Sequence, residues 1–131
     1  MKAGSVTFPT RIILIVEDDH ASGVILRDMV ARKFPGFAIY VAEDGETGID
    51  FCREHSPGIV VTDINLPGID GALMAKRIKR RKPDTKFIVL SGYSDTVHLQ
   101  EFNAIGIHDF LVKPVDLKQL FAAIQACIDA P

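Results

Sequence analysis

Gly58-Ile59-Val60-Val61-Thr62-Asp63-Ile64-Asn65-Leu66-Pro67-Gly68-Ile69-Asp70-Gly71 is the stretch on which the fold turns. A short apolar, β-branched run ends in a carboxylate and is followed at once by a Pro/Gly turn. Val and Ile suit a pleated strand, and an unbroken apolar run suits a strand covered on both faces. Open parallel sheets carry their ligands outside the carboxyl ends of such strands. Asp63 therefore reads as a group presented by the sheet, and Asp70 as the residue before the helix that follows.

The same grammar repeats on either side. Arg11 to Val16 is a second apolar run, ending in Glu17-Asp18-Asp19. Residues 21–33 have helical spacing through Ile25, Leu26, Met29 and Val30, with Phe34-Pro35-Gly36 as the stop. Residues 37–41 read as a short strand, and Asp44 caps a helix running to about His55. After Asp63 come a helix over residues 72–81, closed by Pro83, and a strand over 87–90 that ends in Ser91-Gly92. A helical stretch over 95–105 stops at Gly106. The strand 109–112 precedes Lys113-Pro114, and Asp116 caps a last amphipathic helix through Leu117, Leu120, Phe121, Ile124 and Ile128. Strict strand–helix alternation demands a parallel sheet with right-handed crossovers and helices on both faces. The expected fold is α/β, (βα)5 and flavodoxin-like, with five strands in the order 2-1-3-4-5. Residues 1–10 read as a flexible leader and 11–130 as one domain.

Composition narrows the setting. The chain has 131 residues, 47% of them hydrophobic, which is enough for a core without staples. A net charge of -2 argues against general attraction to nucleic acid or anionic membranes. No signal peptide is expected, because no apolar segment follows the first residues, and the run 12–16 is far too short to span a bilayer. Cys52 and Cys127 fall in helices without metal-type spacing. They read as reduced core thiols rather than a disulfide, which points to the cytoplasm.

In the order 2-1-3-4-5, strands 1 and 3 flank the switch point, so Glu17, Asp18 and Asp63 meet there, with Ser91 and Lys113 alongside. Clustered carboxylates repel unless a cation joins them. A hard divalent ion held by a few carboxylates and completed by water suits Mg2+. Lys113 adds a point charge and Ser91 a hydroxyl. These are the parts for phosphoryl transfer onto Asp63, giving an aspartyl phosphate, and an ionised carboxylate needs no base.

Residues 13–19, 62–71, 90–92 and 111–114 (Leu111-Val112-Lys113-Pro114) together resemble the receiver domain of two-component response regulators, over roughly residues 11–129. Each motif alone is weak, but four in order at strand ends are specific. The resemblance implies Asp63 as phosphoacceptor and Asp18 as direct Mg2+ ligand. Glu17 would hold the metal through water, and Asn65 through its backbone carbonyl. Ser91 and Phe110 would be the switch pair, and Lys113 the lysine before a proline that is usually cis in the family. It also implies a histidine kinase or histidine phosphotransfer protein as donor. The output surface would be the face made by the 95–105 helix, the fifth strand and the last helix. Val97, Leu99 and Phe102 of the 95–105 helix are expected to face partly outward, as a docking surface or a phosphorylation-dependent homodimer surface. Such a domain modifies itself and is not an enzyme in the turnover sense. Asn65 and Tyr93 are expected to tune phosphate lifetime.

Blander readings stand beside these. Asp19 and His20 can be simple cap or surface residues, and Phe110 can be plain core. The four histidines share no metal spacing. Lys76, Arg77, Lys79, Arg80, Arg81 and Lys82 invite a nucleic-acid reading, but a solvated face opposing the helix dipole explains them more simply. Gly23 weakens its helix, whereas Gly48 suggests close packing on the sheet. Ile107-His108 departs from commoner family forms. Two other functions remain: an inert pseudo-receiver used for binding, and a phosphatase working through an aspartyl intermediate. The second is disfavoured because Asn65 stands where such enzymes carry a general acid. The output pathway is not encoded here; the chain is either a stand-alone regulator or a receiver from a longer protein.

Overall fold

A computed structural model describes residues 10–92 and 103–130. Five parallel strands form one sheet: β1 (Ile12–Val16), β2 (Ala38–Ala42), β3 (Ile59–Asp63), β4 (Lys86–Ser91) and β5 (Asp109–Val112). Their order is β2-β1-β3-β4-β5, the flavodoxin-like order expected from the sequence. The helices are α1 (His20–Lys33), α2 (Gly45–His55), α3 (Gly71–Arg81) and α4 (Leu117–Asp129). The helix expected over 95–105 lies largely outside the described residues. Its last residues, 103–105, are helical, and Gly106 follows at φ +90°.

Strand periodicity divides the core in two. Leu14, Val16, Val60, Phe87 and Val89 point to the side covered by α2 and α3, where Met74, Ala75 and Ile78 meet them. Ile13, Ile15, Ile59, Val61, Ile88 and Leu90 point to the other side, against Val30 and Phe34 of the α1 end and Leu120, Ala123, Ile124 and Cys127 of α4. Because β1, β3 and β4 are buried on both faces, their sequences are continuous apolar runs. The edge strands β2 and β5 are partly exposed and read less clearly.

The register sets the height of every strand end. Val16 pairs with Thr62, Asp63 with Leu90, and Ser91 with Val112. Glu17 thus lies level with Asp63, while Ser91 stands one step further on and Lys113 two.

Expected boundaries shift by a residue or so. Arg11 lies outside β1, β2 begins at Ala38 rather than Phe37, and β4 extends to Lys86 and Ser91. Polar residues at strand ends keep their ladder partners, which an apolar pattern does not reveal. Thr10, expected in the leader, donates its hydroxyl to the Ser56 carbonyl at 2.7 Å. Residues 1–9 lie outside the described part. Among the described residues, no helix is long and apolar enough to cross a membrane. Cys52 and Cys127 are both free and buried.

Candidate functional site

Each described helix starts with an aspartate cap, and these caps anchor the loops at the carboxyl end of the sheet. Asp19 accepts from the Ser22 N–H at 3.0 Å, Asp44 from Thr47 at 2.7 Å, Asp70 from Leu73 at 2.8 Å, and Asp116 from Lys118 at 2.9 Å. Asp19 is therefore the cap of α1, one of the plain roles its sequence position allowed. His20 pairs with Glu43 at 2.9 Å on the surface, and His55 stacks on Phe51 at 4.5 Å.

Glu17, Asp18 and Asp63 come together as the strand order demands. Each offers a carboxylate oxygen, and these atoms lie within 4.8 Å of one another. Asp63 is buried at 5% exposure and Glu17 at 6%, whereas Asp18 faces solvent. Lys113 spans the gap from β5 and donates to Asp63 Oδ2 at 2.6 Å. The Asn65 N–H points at Asp63 Oδ1 at 3.4 Å, and the Asp19 N–H donates to Glu17 Oε2 at 3.1 Å. Burial raises the Glu17 pKa; the Asp19 N–H and the Lys113 charge lower it, the Asp63 charge and Asp18 raise it, and the net direction is up. Burial works against the Lys113 charge, but the hydrogen bond and charge of Asp63, with Glu17 and Asp18 behind it, outweigh burial and raise its pKa.

Three acids against one lysine leave excess negative charge in a partly buried place. All the donors are hard oxygens, with no thiol or imidazole among the described residues of the cluster. This set fits an oxygen-seeking divalent cation and not a zinc-type site.

Ser91 is buried at the end of β4, and its carbonyl accepts from the Lys113 N–H at 2.7 Å. The Lys113-Pro114 bond is cis. Phe110 is half-buried and packs on the α2/α3 side of the core. Tyr93, Val97, His98, Leu99 and Phe102 lie outside the described residues.

Two contributors escaped sequence reasoning. Gly71 lets α3 start directly against the Asp63 backbone: a Cβ there would come within 2.7 Å of the Asp63 carbonyl oxygen. Its N–H donates to the Ile64 carbonyl at 3.0 Å, fixing the loop beyond Asp63. Gly23 looked like a helix defect; a Cβ there would sit 3.0 Å from Val41, so the glycine sets the approach of α1 to β2. Gly48, expected to pack closely, does so against Met74 and Val16.

Known proteins resemble this chain in sequence and fold. A family model described as the response regulator receiver domain matches residues 13–125. Transcriptional regulatory protein AfsQ1 of Streptomyces coelicolor is 34% identical over 116 residues, covering 88% of this chain and 50% of that protein. Sporulation initiation phosphotransferase F of Bacillus subtilis is 26% identical, over 86% of this chain and 90% of its own length. The chain spans only 50% and 49% of the two transcriptional regulators AfsQ1 and CtrA. The N-terminal domain of an uncharacterized protein from Wolinella succinogenes superposes with a TM-score of 0.81 at 32% identity, covering 88% of this chain and 91% of that one. The receiver domain of AraT from Geobacillus stearothermophilus, 23% identical with a TM-score of 0.83, shares the fold, over 92% of this chain and 94% of its own. With the family model covering nearly the whole sheet, this chain belongs to the receiver domain family of two-component response regulators.

Proposed function

We propose that Asp63 accepts a phosphoryl group from a phosphohistidine on a histidine kinase or phosphotransfer protein. The observation that carries this reading is the 2.6 Å bond from Lys113 Nζ to Asp63 Oδ2, beside two further carboxylates. Asp18, Asp63 and the Asn65 carbonyl would hold Mg2+ directly, and Glu17 through water. When bound, the ion neutralises charge on the transferring phosphoryl oxygens.

The chain's own residues then divide the work. A carboxylate oxygen of Asp63 forms the bond to phosphorus as the P–N bond of the donor breaks, the electron pair leaving on the imidazole, which takes up a proton. Lys113 keeps the carboxylate oriented before transfer and afterwards compensates phosphoryl charge. The Ser91 hydroxyl turns to a phosphoryl oxygen, vacating space into which Phe110 moves. That exchange biases the face of β5 and α4 between two conformations. Water then hydrolyses the acyl phosphate, at a rate tuned by Asn65 and Tyr93. The chain is modified once per cycle and resets itself, so it works as a switch and not as a turnover enzyme. The effector is a partner outside these residues, reached by docking or by dimerisation through the β5/α4 face.

Radiolabelled transfer tests the reading. Wild-type chain incubated with a labelled phosphohistidine donor and Mg2+ should acquire acid-stable, base-labile label. Asp63→Asn and chelated wild type should acquire none, and labelling of Asp63→Asn at the wild-type level would overturn the assignment.

A further inference from the structure

Six of the chain's 15 Lys and Arg residues fall in Lys76-Arg77-Ile78-Lys79-Arg80-Arg81-Lys82, which contains no acid. The remaining residues carry nine cations against 17 acids, a net charge of -8. The stretch is therefore a compact positive pole on an otherwise acidic molecule. It forms the second half of α3 and its cap, at the end of the sheet away from Asp63.

The six cations are not equivalent. Lys79 donates to the Thr85 carbonyl at 3.2 Å and Lys82 to the Ser56 hydroxyl at 2.5 Å, so both are used internally. Lys76, Arg77, Arg80 and Arg81 are exposed, and among the described residues none of them is paired with a carboxylate. They form two like-charge pairs at i, i+4, an arrangement that opposes the helix. The macrodipole favours cations only in the last turn, which accounts for Arg80 and Arg81 but not for Lys76 and Arg77. Leu73, one turn earlier, is 38% exposed and extends the same strip with apolar surface.

We infer that Leu73, Lys76, Arg77, Arg80 and Arg81 form a docking face for a short acidic segment of a partner protein that also carries an apolar residue. Arginine forks pair with carboxylates two bonds at a time, and Leu73 offers the apolar contact. The patch size favours this partner over a polyanion. From residue 76 to 81 the helix advances only about 7.5 Å. A nucleic-acid duplex or an anionic bilayer reaches much further and would set phosphates against the acidic remainder, within a Debye length of about 8 Å. A short segment makes the favourable contacts alone. The face is independent of the phosphoryl chemistry, since it uses no residue of the acid cluster.

Fluorescence anisotropy on the full chain tests it, with a labelled synthetic peptide of alternating Glu and Asp around one central Leu as the probe. Binding should appear at low ionic strength and weaken as salt approaches about 0.15 M. Arg77→Glu with Arg81→Glu should weaken it by about tenfold or more, since two exposed attractions become repulsions. Leu73→Ala should have a smaller effect. Arg32→Glu with Lys118→Glu, on the opposite face, should leave binding unchanged, and unaltered melting of each variant keeps folding out of the comparison. A duplex oligonucleotide and phosphatidylserine vesicles serve as competing probes. Tighter binding to either, peptide binding indifferent to the α3 substitutions, or no peptide binding at low salt each overturns the inference.

Discussion

Replacing Glu17 by Gln should make the metal-free chain more stable and its response to Mg2+ weaker. Glu17 is buried with its carboxylate oxygen within 4.8 Å of those of Asp18 and Asp63, and burial raises its pKa. Two unit charges at that distance repel by about 0.9 kcal/mol even at the dielectric of water. Two such pairs, less the attraction to Lys113 that is also lost, leave about 1 kcal/mol in favour of the amide. Gln keeps an oxygen to accept the Asp19 N–H, so the local hydrogen bond survives. The gain corresponds to a rise in melting temperature of about 3 °C for a domain of this size. Because the folded pKa of Glu17 lies above its ordinary value of 4.5, the folded state binds the extra proton, and wild type gains stability as pH falls from 7 toward that value. The advantage of Gln should fade over the same window. With Mg2+ at about ten times its wild-type Kd, the wild type gains about 1.4 kcal/mol. Loss of an outer ligand weakens metal binding by roughly tenfold or more, so the variant should gain only about 0.4 kcal/mol. Urea unfolding of both chains in EDTA and in Mg2+, at two pH values, measures these stability differences. A variant less stable than wild type in EDTA, or equally stabilised by Mg2+, would refute the account of the cluster.

Other substitutions probe the scaffold. Gly71→Ala drives a Cβ to 2.7 Å from the Asp63 carbonyl oxygen, so denaturant unfolding should show a loss of about 2 kcal/mol and Mg2+ titration a weaker site. Asp44→Ala removes the cap bond to the Thr47 N–H and should cost about 1 kcal/mol. The hydrogen bonds from Thr47 lower the Asp44 pKa, so its contribution holds above about pH 4 and is lost as pH falls further; the deficit of the Ala variant should vanish in acid. The Cys52 and Cys127 thiols are buried and pushed up to about 12, so a thiol reagent at neutral pH should label them only at the rate of unfolding. Rapid labelling of folded chain would count against their burial.

Much of the site was legible because its chemistry sits at strand ends. Buried parallel strands such as Ile59–Asp63 are apolar until they stop, so the first charged residue marks both a boundary and the functional edge. Alternation with helices implies a parallel sheet, and its flavodoxin-like strand order brings Glu17 and Asp18 to Asp63, with Lys113 carried there from β5. What could not be read depends on contacts between distant segments. Gly23 is a poor helix former in the sequence and a close contact to Val41 in the fold. Gly71 is one of two glycines in the turn after Asp63, and only the approach of α3 to the Asp63 carbonyl singles it out. Likewise, nothing in the run of six cations separates Lys79 and Lys82, tied to Thr85 and Ser56, from the four that face solvent.

The central claim is that Asp63 is the phosphoacceptor, and chemical trapping tests it most directly. After incubation with a phosphohistidine donor and Mg2+, borohydride reduction converts an aspartyl phosphate to homoserine. Peptide mass spectrometry should find homoserine at position 63 only, and only when both donor and Mg2+ are present. Intact Asp63 alongside a phosphorylated or reduced residue elsewhere would contradict the account.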